Sequence, residues 1–126
     1  MEYLDVNTMI SMTMTSVERS EHDGSDALIF TSTDGRVFKL FHNQDCCENV
    51  GIEDIAGNLS DLIGTPLLQS EEVSSESPVR GPNDYVPESE TWTFYKFGTI
   101  KGYVTVRWWG TSNGYYSESV DFAEFT

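Results

Sequence analysis

TWTFYKFGTIKGYVTVRWWGTSNGYYSESVDFAEFT, residues 91–126, is the stretch of sequence that decides the fold. It contains 11 of the 16 aromatic residues of the chain, and its one arginine is Arg107. The dipeptides Lys101-Gly102 and Asn113-Gly114 divide it into three runs, and both are typical of turns between β-strands. We therefore predict β structure here. The aromatic rings form either the core of a small β domain or, in part, a surface for stacking.

The alternation of side chains along residues 103–109 predicts two different faces of one strand. Arg107 and Trp109 share one face with Tyr103, and this face is predicted to be the outer one. The apolar set predicted to face the core is Val104, Val106 and Trp108.

Two hairpin registers predict a charged cluster around Arg107. A tight turn at Lys101-Gly102 places Lys96 opposite Arg107. A three-residue loop at residues 113–115 makes Asp121 the other neighbour of Arg107, because these registers keep the apolar faces together. Two cations side by side favour an anion between them. That anion is either Asp121 itself or the phosphate or carboxylate of a ligand.

The N-terminal half has the pattern of an antiparallel meander. Strands are predicted over residues 12–21, 27–31 and 36–41, where apolar and polar side chains alternate. Asp23-Gly24 and Asp34-Gly35 are the predicted turns between them.

One short helix is predicted at residues 58–63, with Asn58 as its N-cap and Gly64 as its left-handed stop. A strand is predicted over residues 66–73. Residues 74–90, rich in Pro, Ser and Glu, are predicted to form an exposed loop. The predicted fold is therefore mainly β (α+β), an antiparallel sheet of about six to seven strands with one short helix.

The length of the chain favours a single domain over residues 1–126. No apolar run approaches the length of a membrane span, and the N-terminus lacks the basic start and apolar stretch of a signal peptide. We expect a protein of the cytoplasm that does not contact membranes.

The charge balance is strongly acidic, with 7 Lys and Arg against 21 Asp and Glu and a net charge of −14. Such a field repels nucleic-acid backbones, so we expect no direct binding of DNA or RNA. Two interpretations of the acidic residues remain. They imitate a nucleic acid in the groove of a basic partner, or they keep a small protein soluble.

The loop HNQDCCE, residues 42–48, contains both cysteines of the chain, Cys46 and Cys47. Neighbouring cysteines bridge each other only in strained geometry, so we expect them to be reduced. The acidic residues Asp45 and Glu48 disfavour a thiolate, and the spacing of a zinc site is missing. We therefore expect no metal, no cofactor and no catalysis.

HNQDCCE and the stretch SNGYYSESV, residues 112–120, are the most specific parts of a resemblance that covers most of the chain. With them the chain resembles a family of small, mostly uncharacterised proteins carried by bacteriophages and prophages. It is also similar to phage anti-defence sponge proteins, which sequester the cyclic ADP-ribose signal of Thoeris immunity and, in some members, cyclic oligonucleotides. This resemblance implies an oligomer that buries an anionic adenine nucleotide by aromatic stacking and arginine.

Two functional hypotheses follow. The leading one is a phage counter-defence protein that sequesters a cyclic nucleotide or cyclic ADP-ribose in the host cytoplasm. The alternative is an acidic decoy that inhibits a host nucleic-acid-handling defence protein, as anti-CRISPR or anti-restriction proteins do. The predicted ligand-binding residues are Phe94, Lys96, Arg107, Trp109, Asn113, Tyr115 and Tyr116.

Overall fold

Nine β-strands make up most of the chain in the computed structural model, which describes residues 1–75, 82–83 and 86–125. Their bounds are β1 Glu2–Tyr3, β2 Met14–His22, β3 Ser25–Ser32, β4 Val37–Phe41, β5 Asn49–Ala56, β6 Gln69–Ser75, β7 Ser89–Thr99, β8 Gly102–Ser112 and β9 Asp121–Phe125.

The strands form two antiparallel sheets. The five-stranded sheet has the order β1-β9-β4-β3-β2, and the four-stranded sheet has the order β5-β8-β7-β6. The chain passes from the first sheet to the second through residues 42–48 and returns through residues 113–120. The prediction of a mainly antiparallel β fold is confirmed, but the predicted number of strands is too low. Strand β1 has only two residues, too few to show alternation.

One hydrophobic core lies between the inner faces of the two sheets. Phe30 of β3 meets Phe97 of β7 with 5.1 Å between ring centroids. Burial of this shared apolar surface is the main force that holds the sheets together. The buried residues that the strands contribute are Met14, Val17, Leu28, Phe30, Phe38, Leu40, Val50, Ile52, Tyr95, Phe97, Val104, Val106, Trp108 and Phe122.

The meander predicted for the N-terminal half is confirmed, because β2 pairs with β3 and β3 pairs with β4, both antiparallel. Asp23, Gly24 and Gly35 all have positive φ, the conformation expected of the predicted turns.

The helix predicted at residues 58–63 is a single 3₁₀ turn, Leu59–Leu62. The Asn58 side chain accepts a hydrogen bond from the N–H of Ser60, and Gly64 has a φ of +88°, so the predicted cap and stop are present. Four residues are too few for the hydrogen bonds of an α-helix. Within the described ranges no helix has the length and apolar character to cross a membrane. Of the loop predicted at residues 74–90, residues 76–81 and 84–85 lie outside the described residues, while its two ends belong to β6 and β7.

The register predicted for β7 and β8 is wrong by two residues. Thr99 pairs with Gly102, so the turn lies at Ile100 and Lys101, and Lys96 pairs with Thr105 instead of Arg107. A shift of two residues keeps every side chain on its face, so alternation could not distinguish the two registers. Gly102 is the first residue of β8, where a Cβ would lie 2.7 Å from Asp61 Oδ2.

The predicted hairpin between β8 and β9 does not form. Both edges of β8 are occupied, by β5 and β7, whereas β9 lies between β1 and β4 in the other sheet. Asp121 consequently pairs with Phe41, and the prediction that it neighbours Arg107 is wrong. Phe122 reaches the same core from the opposite side.

Candidate functional site

The outer face of the four-stranded sheet carries an aromatic surface, here called the tryptophan face and defined by Trp92, Phe94, Arg107 and Trp109. Trp92 and Trp109 are cross-strand partners. Their rings stack with 5.4 Å between centroids and 19° between planes. All four side chains are half-buried, so each is held by its neighbours and still reaches solvent.

A carboxylate fixes the orientation of the stacked pair. Glu90 Oε1 accepts a hydrogen bond of 2.7 Å from Trp92 Nε1 and one of 3.1 Å from Trp109 Nε1. Because both indole donors point to one oxygen, the two rings are held in register. The polar ends of the rings are therefore occupied, and the face of Trp109 that does not stack on Trp92 remains for contacts.

Arg107 lies in an acidic environment on this face. Its guanidinium is 5.6 Å from the centroid of the Trp92 ring and forms an ion pair with Glu53. Asp54 is its cross-strand partner in β5, and Phe94 is its partner in β7. The cation is already balanced by carboxylates of its own chain.

An open cleft of about 660 Å³ lies beside the tryptophan face, and Trp109 belongs to both. Its described lining includes three acidic residues, Asp26, Glu48 and Glu53, and no lysine or arginine. The lining residues are Gly24, Ser25, Asp26, Gln44, Glu48, Asn49, Val50, Gly51, Ile52, Glu53, Trp109 and Thr111. Asp26 and Glu53 already contact Arg19 and Arg107, but neither arginine belongs to the lining. The surface of the cleft therefore presents carboxylates and an indole, which suit a cation better than a phosphate.

Side chains from the β2–β3 hairpin cover part of the edge of β5 inside this cleft. Asp26 Oδ2 accepts a hydrogen bond of 2.8 Å from the N–H of Ile52, and Arg19 Nη2 donates one of 3.2 Å to the carbonyl of Ile52. Arg19 and Asp26 also contact each other at 3.4 Å. This ion pair occupies the main-chain groups that a neighbouring strand would use.

The wall of the cleft formed by residues 42–48 is organised around the buried carboxylate of Glu48. His42 Nε2 lies 2.8 Å from Glu48 Oε2, and the N–H groups of Asp45 and Cys46 donate to the same carboxylate. Burial raises the pKa of Glu48, but these hydrogen bonds outweigh it and lower that pKa to about 2. The carboxylate is therefore ionised at neutral pH.

The second ring nitrogen of His42 ties this loop to the return crossing between the sheets. His42 Nδ1 lies 2.7 Å from the carbonyl oxygen of Ser119. Because a carbonyl can only accept, the hydrogen bond to Ser119 is donated by Nδ1, while Nε2 faces the carboxylate of Glu48. The buried pair thus links residues 42–48 with residues 113–120.

The prediction of reduced cysteines is contradicted, because Cys46 and Cys47 form a vicinal disulfide. The physical reason lies in the turn around Glu48. Its carboxylate binds the main chain at Asp45 and Cys46, and Gln44 donates to its carbonyl at 2.7 Å. These hydrogen bonds hold residues 44–48 in a closed turn that contains both cysteines.

A family model described as a domain of unknown function, DUF7448, matches residues 3–122. The chain belongs to the DUF7448 family. No curated protein and no solved structure matched it. The match spans both the tryptophan face and the cleft, so these features lie within the DUF7448 domain.

The structure brings together three of the predicted site residues of this DUF7448 domain, Phe94, Arg107 and Trp109. Lys96 lies farther along the same face of β7, next to Thr105 and Glu71. The remaining predicted residues, Asn113, Tyr115 and Tyr116, lie in the crossing between the sheets.

That crossing is anchored away from the tryptophan face. The Glu118 carboxylate accepts hydrogen bonds from Thr91 and Ser112, and its main chain packs over Gly110. The ring contact described for Tyr115 is with Tyr116, at 5.0 Å. Two surfaces therefore replace the one ligand site predicted from the sequence.

Sequence reasoning missed four residues of the DUF7448 site: Asp26, Glu53, Glu90 and Trp92. The alternation of β7 contained a signal for Trp92, since it places Trp92 on the face of Phe94. The three acidic residues come from other strands or from the start of β7. Only the pairing of distant segments shows that they surround Trp109 and Arg107.

Proposed function

We propose that this protein acts by binding, without catalysis, and that its partner is a basic surface of a host protein that handles nucleic acid. The observation that carries the proposal is the acidic lining of the cleft beside Trp109. Carboxylates attract lysine and arginine side chains, and a tryptophan ring adds a favourable contact with a cation. The charge of the cleft is therefore complementary to a basic groove of the partner that normally binds DNA or RNA.

The overall charge supports the same partner. A net charge of −14 on 126 residues attracts basic proteins over long distances and repels phosphates. At the tryptophan face the nearest cation, Arg107, is paired with Glu53. A phosphate would have to displace this carboxylate before it could use Arg107.

The biological setting is part of the proposal. The resemblance to small phage and prophage proteins supports a role in counter-defence in the host cytoplasm. Within that setting the acidic decoy inhibits an effector of host immunity by occupying its nucleic-acid groove.

A second candidate function has one observation in its favour, the stacked pair of Trp92 and Trp109 beside Arg107. Flat aromatic surfaces and a guanidinium are the groups that proteins use to stack nucleobases. This arrangement suits a sponge for a cyclic nucleotide signal, in which the base stacks outside the acidic cleft.

A capture experiment separates the two functions. Tagged protein is incubated with lysate of infected bacteria, and bound proteins and heat-released small molecules are both identified by mass spectrometry. We expect capture of basic nucleic-acid-binding proteins that is displaced by added DNA and by about 0.5 M NaCl, because the contact is electrostatic.

The matched control is the double variant Glu53→Gln with Asp26→Asn, which removes two charges of the cleft and keeps the size of each side chain. Capture that is unchanged in this variant would show that the cleft is not the site. An unmodified nucleotide in the heated supernatant, without such capture, would establish the sponge instead.

A further inference from the structure

The cleft follows an unpaired edge of the four-stranded sheet. Within the part of the chain that the structure describes, β5 is the last strand of that sheet and has β8 as its one neighbour. Five consecutive residues of β5, from Asn49 to Glu53, line the cleft. The main chain of β5 is therefore part of the cleft wall, together with the side chains of Asp26 and Trp109.

The direction of the main-chain groups follows from antiparallel alternation. The N–H and carbonyl of Ile52 point away from β8, since they bond to Asp26 and Arg19. Groups two residues apart on a strand point to the same side, so those of Val50 point to the same free edge. Among the described hydrogen bonds outside the strand ladders, none uses the main chain of Val50.

Gly51 lets the hairpin approach this edge closely. A Cβ on Gly51 would lie 2.8 Å from Asp26 Oδ2, so any side chain there would push Asp26 away from Ile52. Gly51 pairs with Trp109 in β8. The absence of a side chain at this position also leaves the indole accessible from the edge.

We propose that an extended segment of the basic partner adds to this edge as a further strand, with hydrogen bonds to the main chain of Val50. The inference rests on the proposed function and specifies how the partner is held. Main-chain hydrogen bonds supply affinity in strand addition, and alternate side chains supply specificity. Here lysine or arginine side chains of the segment compete with Arg19 for Asp26 and with Arg107 for Glu53. The hydrogen bonds already made at Ile52 and at the carbonyl of Glu48 limit the main-chain pairing to Val50.

The test uses a blocked peptide of alternating lysine and valine and follows amide exchange of the protein by NMR. We expect exchange at the Val50 amide to slow about tenfold or more when the peptide binds, because an N–H on the free edge of β5 becomes hydrogen-bonded. The amide of Gly51, which faces β8, serves as the internal control and keeps its rate.

A second peptide separates hydrogen bonding from charge. It has the same sequence, but its valines are N-methylated, which keeps every charge and removes donors from one edge. We expect its affinity to be about tenfold lower.

Equal affinity of the two peptides, or an unchanged Val50 amide, would overturn the inference. Either result leaves the proposed function intact as long as salt-sensitive capture of basic proteins persists. Loss of that capture itself would refute the proposed function.

Discussion

The outer faces of the two sheets carry aromatic residues in different arrangements. On the five-stranded sheet, Phe41, Ala27, Ala123 and Phe125 form a small second cluster, here called the phenylalanine face, and the first three are fully buried. His22 covers Phe41 with 4.5 Å between ring centroids. On the tryptophan face the rings stay half-exposed, and polar groups hold them in place.

The difference separates aromatic residues that stabilise from those that are available for contacts. Phe41 has no surface left for a partner, so its contribution is to the free energy of unfolding. Trp109 contacts Trp92 on one side and the cleft on the other, and its N–H bonds to Glu90. Half-exposed rings fixed by a carboxylate are suited to bind without rearrangement.

The largest expected effect is on stability at the phenylalanine face. Replacement of Phe41 by Ala should lower the free energy of unfolding by about 3–5 kcal/mol, because it removes a fully buried ring. Chemical denaturation measures this loss, and binding of basic peptides per folded molecule should stay unchanged. If Phe41→Ala lowered the free energy of unfolding no more than Trp109→Ala does, the phenylalanine face would not be the more stabilising of the two faces.

The junction between the sheets should respond to acid. The pKa of Glu48 is about 2 in the folded protein and 4.5 ordinarily, so its contribution to stability is present above pH 4.5 and is lost as the pH falls towards 2. We expect the stability difference between wild type and Glu48→Gln to shrink over this range, as measured by denaturation at a series of pH values.

Two other carboxyls also have a lowered pKa, Asp34 through its hydrogen bond with Ser32 and Glu124 through its hydrogen bonds with Arg36. Both are present in wild type and variant, so the difference isolates Glu48. A difference that stays constant with pH would show that the buried pair does not depend on the charge of Glu48.

The two tryptophans should differ in binding more than in stability. Replacement of Trp109 by Ala should cost about 1–2 kcal/mol of stability, since part of the ring is already in water, and about tenfold in affinity for the lysine–valine peptide. Trp92→Ala is the matched control, because Trp92 belongs to the tryptophan face but does not line the cleft. Equal losses of affinity in the two variants would show that the peptide binds to the stacked tryptophan pair and not in the cleft.

The smallest expected effect on stability is that of Arg107→Ala, about 0–1 kcal/mol, because its ion pair with Glu53 is exposed. The informative measurement on this variant is whether its affinity for the basic peptide rises or falls. Loss of Arg107 frees Glu53, so affinity for the basic peptide should not fall. Lys96→Ala removes the same charge elsewhere on that face and serves as the control. Titration calorimetry that showed about tenfold weaker binding of a cyclic nucleotide to Arg107→Ala would favour the sponge.

The faces of individual strands could be predicted from the sequence, because alternation is a property of the backbone. Val106 and Trp108 are buried and Arg107 lies on the outer face, as predicted. The partners of each strand could not be predicted in the same way. The apolar pattern of β9 is the same whether it pairs with β8 or with β4, and only packing of the whole core decides between them.

The composition of the candidate site could likewise be predicted only in part, because it depends on which strands are neighbours. The concentration of aromatic residues in the last third of the chain led to the prediction of Phe94 and Trp109, and both lie on the tryptophan face. The residues that give the site its charge, Asp26 and Glu53, lie on β3 and β5, and a predicted hairpin gave no reason to place them nearby. The anion predicted for Arg107 was either Asp121 or a group of a ligand, whereas the carboxylate that pairs with Arg107 in the structure is Glu53.

The position of β9 has a consequence for the order of events during synthesis. β9 lies between β1 and β4, so Tyr3 near the start of the chain pairs with Ala123 near its end. The ribosome must therefore release almost all of these residues before the five-stranded sheet can close, and until then one edge of β4 has no partner. Such late closure slows folding and leaves a strand edge of the growing chain open to pairing with another chain.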